Sequence, residues 1–357
     1  MNKKLKHIVL RDELMKATRA FFAKRNFCEV IPPVLNDAVP NEPGLHPFVT
    51  QWIKGAVVRD FYLPTSPERS LKMALSQGLG NCFSIGHCFR NLEGSGSLHS
   101  PEFLMLEWYK VHSTYQDIMK EVQEYIEFVS KQLNPIVERY LNESHRKDQP
   151  SLHSIRSPAE RDPRICTPTI SATASGQSHQ VGEFAINQWK IFSIKERFEN
   201  VTGIRYENLL TEDQILVNVA KKLNYTIENA SWREIFDQVF VNEIEAGLPN
   251  EPVFLVDFPS RISPLCKKKS DAPHIAERFE LYIGGVEIAN GNNENTNVTE
   301  IREVFEKEID AGKSPLDTQF LDALHKMDTS GRSFAGVGLG LDRLMMLMMG
   351  EENISTF

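Results

Sequence analysis

Strand-forming segments in this chain fall in two blocks, residues 27–109 and 252–341, with helices and a long polar stretch between them. Parallel α/β folds need strand and helix in regular alternation, because each crossover carries a helix over the sheet. That alternation is missing. The fold class expected is therefore α+β: a mainly antiparallel sheet flanked by helices. The 357 residues suffice for one large domain, and no internal repeat is visible.

Within this frame, residues 8–25 predict an amphipathic helix with Leu10, Leu14, Ala17 and Phe21 on one side. Residues 27–35 read as a short strand stopped by Pro32 and Pro33. Residues 114–133 predict a helix, capped by Thr114 and Asp117, with Ile118, Val122, Ile126, Val129 and Leu133 at helical spacing. Residues 141–186 are rich in Ser, Pro, His and charge without an apolar period. Such a stretch far exceeds the roughly 12–15 residues of ordinary loops, so a disordered or loosely packed insertion is expected at about 141–186. Residues 187–245 read as helical, with Phe192, Ile194, Phe198, Ile215 and Val219 as core marks.

The formal net charge of −8 argues against an electrostatic grip on a nucleic-acid backbone. No apolar run approaches membrane-spanning length. The basic N-terminus has only Ile8, Val9 and Leu10 as an apolar stretch, which makes no signal peptide. The five cysteines fit neither a zinc site nor a disulfide framework, and reduced thiols of a cytoplasmic protein are the reading.

Three stretches carry chemistry. The first is FRNLEGSGSLHSPEFLMLEWY, residues 89–109. As a hairpin turning at Gly94, Ser95, Gly96 and Ser97, its return strand points Phe103, Met105, Glu107 and Tyr109 to one face. Leu104, Leu106 and Trp108 point into the core. An aromatic plate suits a flat group, and a carboxylate with a phenol suits an ammonium. By itself the stretch reads equally well as a half-buried strand with a wet polar face. The second is GVGLGLDRLMMLMMG, residues 336–350. Gly336, Gly338 and Gly340 strip one strand face of side chains, which marks close approach by a ligand or another backbone. Arg343 follows where a guanidinium can meet phosphate. The third joins Glu277-Arg278-Phe279-Glu280 to residues 287–294, where Glu287 and Glu294 bracket an Asn/Gly segment read as a turn, across which two carboxylates can hold Mg²⁺. Two surface acids in a polar loop would look the same.

Together these pieces resemble the three signature motifs of class II aminoacyl-tRNA synthetases, and are most similar to the lysyl-tRNA synthetase catalytic domain. Residues 25–35 resemble motif one, with its proline at Pro33. Residues 89–107 resemble motif two, and residues 336–343 motif three. Thr65, Ser66, Pro67 and Glu68 look like the family's amino-acid-binding loop. The resemblance implies a homodimeric, ATP-dependent ligase in which an amino-acid carboxylate attacks the α-phosphate of ATP and Mg²⁺-pyrophosphate leaves. Arg90 would hold the α-phosphate and the substrate carboxylate. Asn91, Glu93, His99, Ser100, Ile288 and Gly340 would serve ATP, with Phe103 under the adenine and Arg343 over it. Glu287 and Glu294 match the acids that serve Mg²⁺-ATP. Glu107 and Tyr109 match the pair that recognises the lysine ε-ammonium, and Ser66, Pro67, Glu68, Glu294 and Gly338 border the amino acid.

Few residues precede the motif-one helix, so no anticodon-binding domain for tRNA is expected. Stand-alone proteins of this shape resemble elongation factor P–lysine ligase, which passes an activated lysine, typically (R)-β-lysine, to a lysine side chain of elongation factor P. Residues 257–260 and 106–109 look closer to that subgroup. The sequence also departs from it. Motif two has one extra residue before His99, so either Leu92 or Glu93 fills the usual acid position. Ser100 stands where the subgroup has Asn, and residues 292–295 depart from the usual pattern. Gly338 stands where the β-lysine ligases place alanine and lysyl-tRNA synthetases glycine, which leaves α-lysine and β-lysine both open. The function expected is lysyl transfer to elongation factor P. The alternatives are a truncated synthetase charging tRNA or a small molecule, and a non-catalytic regulator.

Overall fold

The computed structural model describes residues 3–92, 96–147, 188–225, 227–309 and 314–354. In chain order it runs α1 (Lys3–Ala23), β1 (Cys28–Glu29), β2 (Val49–Lys54), β3 (Val57–Tyr62), α2 (Glu68–Ser76), β4 (Cys82–Phe89), β5 (Glu102–Val111) and α3 (Tyr115–Lys147). Then come β6 (Lys190–Ser193), α4 (Ile194–Thr202), α5 (Tyr206–Thr211), α6 (Asp213–Lys222) and α7 (Trp232–Val239), which continues as a π-helix, Phe240–Glu245. The last part holds β7 (Val253–Val256), β8 (Arg278–Ile283), β9 (Val286–Asn293), α8 (Val298–Ile309), α9 (Thr318–Thr329), β10 (Phe334–Gly340) and α10 (Leu341–Met348). Among the described residues, no helix is long and apolar enough to cross a membrane.

Eight strands form one sheet in the order β1-β4-β5-β10-β9-β8-β7-β6, and β2-β3 make a separate hairpin. The outer pairs β1–β4 and β6–β7 are parallel, and every pair between them is antiparallel. This is the α+β architecture that the two-block pattern implied. Strand β10 lies between β5 and β9, with Gly338 opposite Glu107 on one side and Asn290 on the other. Residues far apart in sequence thus become neighbours on one face.

The strand alternation decides which face is core. Leu106 and Trp108 of β5 are fully buried against α1 and α3 with Phe22, Val122, Tyr125, Val337 and Leu339. Burying each such large side chain stabilises the fold by about 1.5–3 kcal/mol. The start of α3 is fixed by the expected cap: Thr114 N donates to Asp117 Oδ2 at 2.9 Å, and Asp117 N to Thr114 Oγ1 at 3.3 Å. A second core joins α4–α7 to β7 and β8, and a third joins α2, α8 and α9.

Several expectations change. The first strand shrinks to Cys28–Glu29, because the prolines that follow cannot donate to a ladder. Helix α3 runs on to Lys147 through Pro135; Val137 beyond the proline remains buried in the main core. The expected insertion thus loses residues 141–147 to a helix, and its remainder lies outside the described residues. Residues 190–193, expected to be helical, form strand β6 along β7. Residues 286–293, expected to hold a turn, are strand β9. The turn falls earlier, at Gly284 and Gly285, whose φ angles of 59° and 75° suit glycine.

Candidate active site

The polar face of β5, β10, β9 and β8 floors a cavity of about 380 Å³. The glycine row bares the strand, but what lies against it is side chain rather than another backbone. A Cβ on Gly336 would sit 2.3 Å from the Tyr109 ring, so Tyr109 can lie flat only over a bare strand. A Cβ on Gly338 would meet only Met105 Sδ at 3.4 Å.

One end of the cavity is cationic. Arg90 follows β4, donates Nε to Thr65 O at 3.3 Å, and holds its guanidinium 5.1 Å from the Phe103 ring centroid. Arg343, in the first turn of α10, donates to Glu287 O at 2.9 Å, Glu287 Oε2 at 3.4 Å and Leu98 O at 3.2 Å. His99, Ser100, Ile288 and Gly340 line the same cavity. Asn91 does not: its Oδ1 accepts from Leu92 N at 3.0 Å, closing its own loop. Glu93 lies outside the described residues.

The other end is acidic. Glu107 is 5 % exposed and accepts from Tyr109 OH at 2.7 Å. Lys72 of α2 has no exposed surface; its Nζ meets Glu68 Oε1 at 2.5 Å and pairs with Glu294. Glu68 and Glu294 thus share one ammonium while Glu107 has only the Tyr109 hydroxyl, so carboxyl groups outnumber ammonium groups three to one in this cluster. Burial, then the charge of Glu68, pushes Glu107 well above the usual carboxylate range. Burial pushes Glu294 up to about 7, against the pull of Lys72. Burial opposes the Lys72 charge, but Glu294 and Glu68 outweigh it and raise the Lys72 pKa. Ser66 and Glu68 line the cavity, whereas Pro67 and Glu294 stand behind its wall.

These shifts give a pH expectation. A carboxyl whose folded pKa is about 7 rather than 4.5 keeps its proton in the native state longer than in the unfolded one. Its contribution to stability falls as pH rises through that window. Replacing Glu294 by Gln removes the titration. The Tm of Glu294→Gln relative to native is expected to rise between pH 5 and pH 7.5. A difference that stays flat across that interval would reject the shift.

Glu287 and Glu294 are not brought together. Seven residues of extended strand, at ~3.3 Å each, separate them by roughly 20 Å. Glu287 goes to the cationic end and Glu294 to the acidic end. The neighbour of Glu287 is instead Glu280 on β8. Burial pushes Glu280 up to about 7, and the Glu287 charge adds to the shift while Arg278 opposes it. Among the described residues, no group of three His, Cys, Asp or Glu side chains could hold a metal ion. Glu287 lines the cavity and can offer an oxygen to an ion that shares its shell with phosphates, whereas the Glu280 oxygens accept from Arg278 and Tyr282.

Sequence reading missed Lys72 and gave Glu280 and Arg278 no role. The Lys72–Glu68 pair had a signal, since the two residues stand four apart on a helix. Arg278 lay in the singled-out stretch 277–280, without an assigned partner. It becomes part of the site by donating to Glu280 Oε1 at 2.5 Å, Ser263 Oγ at 2.9 Å and Asn290 Oδ1 at 3.2 Å.

An antiparallel sheet with two arginines at one end of a glycine-floored cavity and a buried carboxylate cluster at the other is the arrangement the three motifs implied. Residues 1–357 match the family described as tRNA synthetases class II (D, K and N), and the chain belongs to that family. It is similar to the lysine–tRNA ligase of Helicobacter hepaticus, at 30 % identity over 362 residues, covering 99 % of this chain and 61 % of that protein. It is also similar to the lysine–tRNA ligase of Carboxydothermus hydrogenoformans, at 28 % over 354 residues, covering 97 % and 63 %. That of Helicobacter pylori strain P12 is 28 % identical over 351 residues, covering 96 % and 61 %. The chain therefore spans less than two thirds of the length of these relatives.

Proposed function

We propose that this chain activates a lysine, α or β, as its adenylate and passes it to a lysine side chain of elongation factor P. The observation that carries the substrate class is the carboxylate excess of Glu68, Glu107 and Glu294 over Lys72. A diammonium amino acid supplies the missing positive charge. Its carboxylate would then point toward Arg90, and the nucleotide would lie between Phe103 and Arg343.

In the first half-reaction a carboxylate oxygen of the substrate attacks the α-phosphorus. The bond to the bridging oxygen breaks, and pyrophosphate leaves. Arg90 orients the carboxylate and neutralises charge that builds on the α-phosphate; Arg343 does so at the far end. Such catalysis is positioning plus charge stabilisation. Glu287 would offer Mg²⁺ an oxygen, and the ion would offset the charge of the phosphates. In the second half-reaction an amine of the acceptor attacks the acyl carbon, loses a proton, and AMP leaves.

The acceptor is proposed from the resemblance at residues 257–260 and 106–109. The lysine–tRNA ligase relatives favour tRNA as the second reading. Purified chain with ATP, labelled lysine isomers and either acceptor tests both: label on elongation factor P supports the first, label on tRNA replaces it. Pyrophosphate exchange at background with every isomer would leave only a ligand-binding regulator. A cytoplasmic homodimer is part of the proposal. Ile31, 87 % exposed, and the exposed Val34 and Leu35 of the motif-one segment offer apolar surface for a second copy.

Gly338 tests the isomer. A Cβ there meets only the thioether of Met105, so Gly338→Ala should fold while narrowing the floor opposite Glu107. We expect the ratio of β-lysine to α-lysine exchange to rise in that variant. Unchanged ratios would remove Gly338 from isomer choice.

A further inference from the structure

Loop residues 41–47, between β1 and β2, cross the mouth of the cavity and are tied down along their length. Asn41 Nδ2 donates to Ser314 O at 2.8 Å, and Leu45 N to Glu42 O at 3.2 Å. Asn91 N donates to His46 O at 2.7 Å. From the other side of the molecule, Arg233 donates to Pro43 O at 3.0 Å. Arg233 stands in the first turn of α7. The capping box between Ser231 and Glu234 and the stack of Trp232 on Phe236 fix that turn. Glu42, Pro43, Leu45 and Arg233 all line the cavity. A loop with this many anchors presents its side chains in one place.

Glu42 is half-buried there. Burial, with the charge of Glu68, pushes its pKa up to about 7, against the pull of Arg90, Lys72 and Arg278. Glu42, Glu68, Arg90 and Glu107 all line the one cavity. A lysine whose carboxylate faces Arg90 and whose side-chain ammonium faces Glu107 would bring its other ammonium, α or β, to the carboxylates nearer Arg90.

We propose that Glu42 is a specificity-determining carboxylate that receives the backbone ammonium of the substrate beside Glu68, and that Arg233 positions the loop carrying it. This rests on the proposed activation of lysine. It narrows the substrate to amino acids with a second ammonium close to the carboxylate, and it gives α7 a part in choosing the substrate.

Pyrophosphate exchange by the full chain with lysine and with 6-aminohexanoate, which lacks the backbone ammonium, is the test. The native chain should prefer lysine. Glu42→Gln should lose about tenfold or more of that preference, the size expected for a hydrogen bond to a charged group, with the KM for ATP unchanged. Arg233→Met should shift the preference in the same direction. An unchanged preference in Glu42→Gln overturns the inference and leaves lysine activation standing. So does an equal loss with both substrates, which would make Glu42 structural. A native chain that exchanges with no lysine isomer overturns the activation reading and this inference together.

Discussion

Replacing Arg90 by alanine should reduce adenylate formation by about a thousandfold, the scale of losing a charge-stabilising donor at a reacting centre, while the fold survives. Among the described residues the side chain donates to Thr65 O and lies over Phe103. Neither contact belongs to a hydrophobic core. Thermal unfolding should therefore stay close to native while pyrophosphate exchange collapses. Arg90→Lys should rescue little, because a point ammonium cannot grip carboxylate and phosphate with a planar fork. Near-native exchange in the alanine variant would take Arg90 out of the mechanism.

The largest stability effect is expected at Lys72. Replacing it by methionine keeps the length of the side chain and removes the ammonium that Glu68 and Glu294 share. Stranding buried carboxylates in this way should cost about 3–5 kcal/mol. Some of the loss will be offset because the carboxyls already titrate high and can take up protons. Denaturant unfolding at pH 7.5 measures the cost. Adding Glu294→Gln to the variant should recover part of it, as expected for partners in one network. A Lys72→Met chain as stable as native would mean that the acidic end carries no net charge when empty.

The alternation in residues 103–109 was legible in the sequence because a strand obeys one rule throughout. Leu106 and Trp108 went to the core, and Glu107 and Tyr109 to the cavity. The glycine row was legible because three missing side chains in register have few explanations. What failed to show is the pairing of distant segments. Glu287 and Glu294 looked like companions across a turn because Asn and Gly fill the stretch between them. The turn instead formed at Gly284 and Gly285, and the strand that followed sent the two acids to opposite ends. Arg278 stood in a stretch the sequence singled out but had no legible role, since only the register of β8 on β9 brings it to the cavity. Arg233 sits 190 positions from Pro43, and no local pattern could announce that contact.

Strand β10 has a consequence for how the molecule is made. Strands β1, β4 and β5 lie on one side of it and β9, β8, β7 and β6 on the other, so a sheet assembled without it is two unjoined halves. A ribosome releases β10 after every other strand, and until then no strand ladder joins the two halves. Side-chain links such as Arg233 to Pro43 can form earlier, but such long-range closure of a sheet is slow. Growing chains stopped short of residue 334 should therefore be easy prey for proteases and blind to nucleotide, however complete the rest of the sheet.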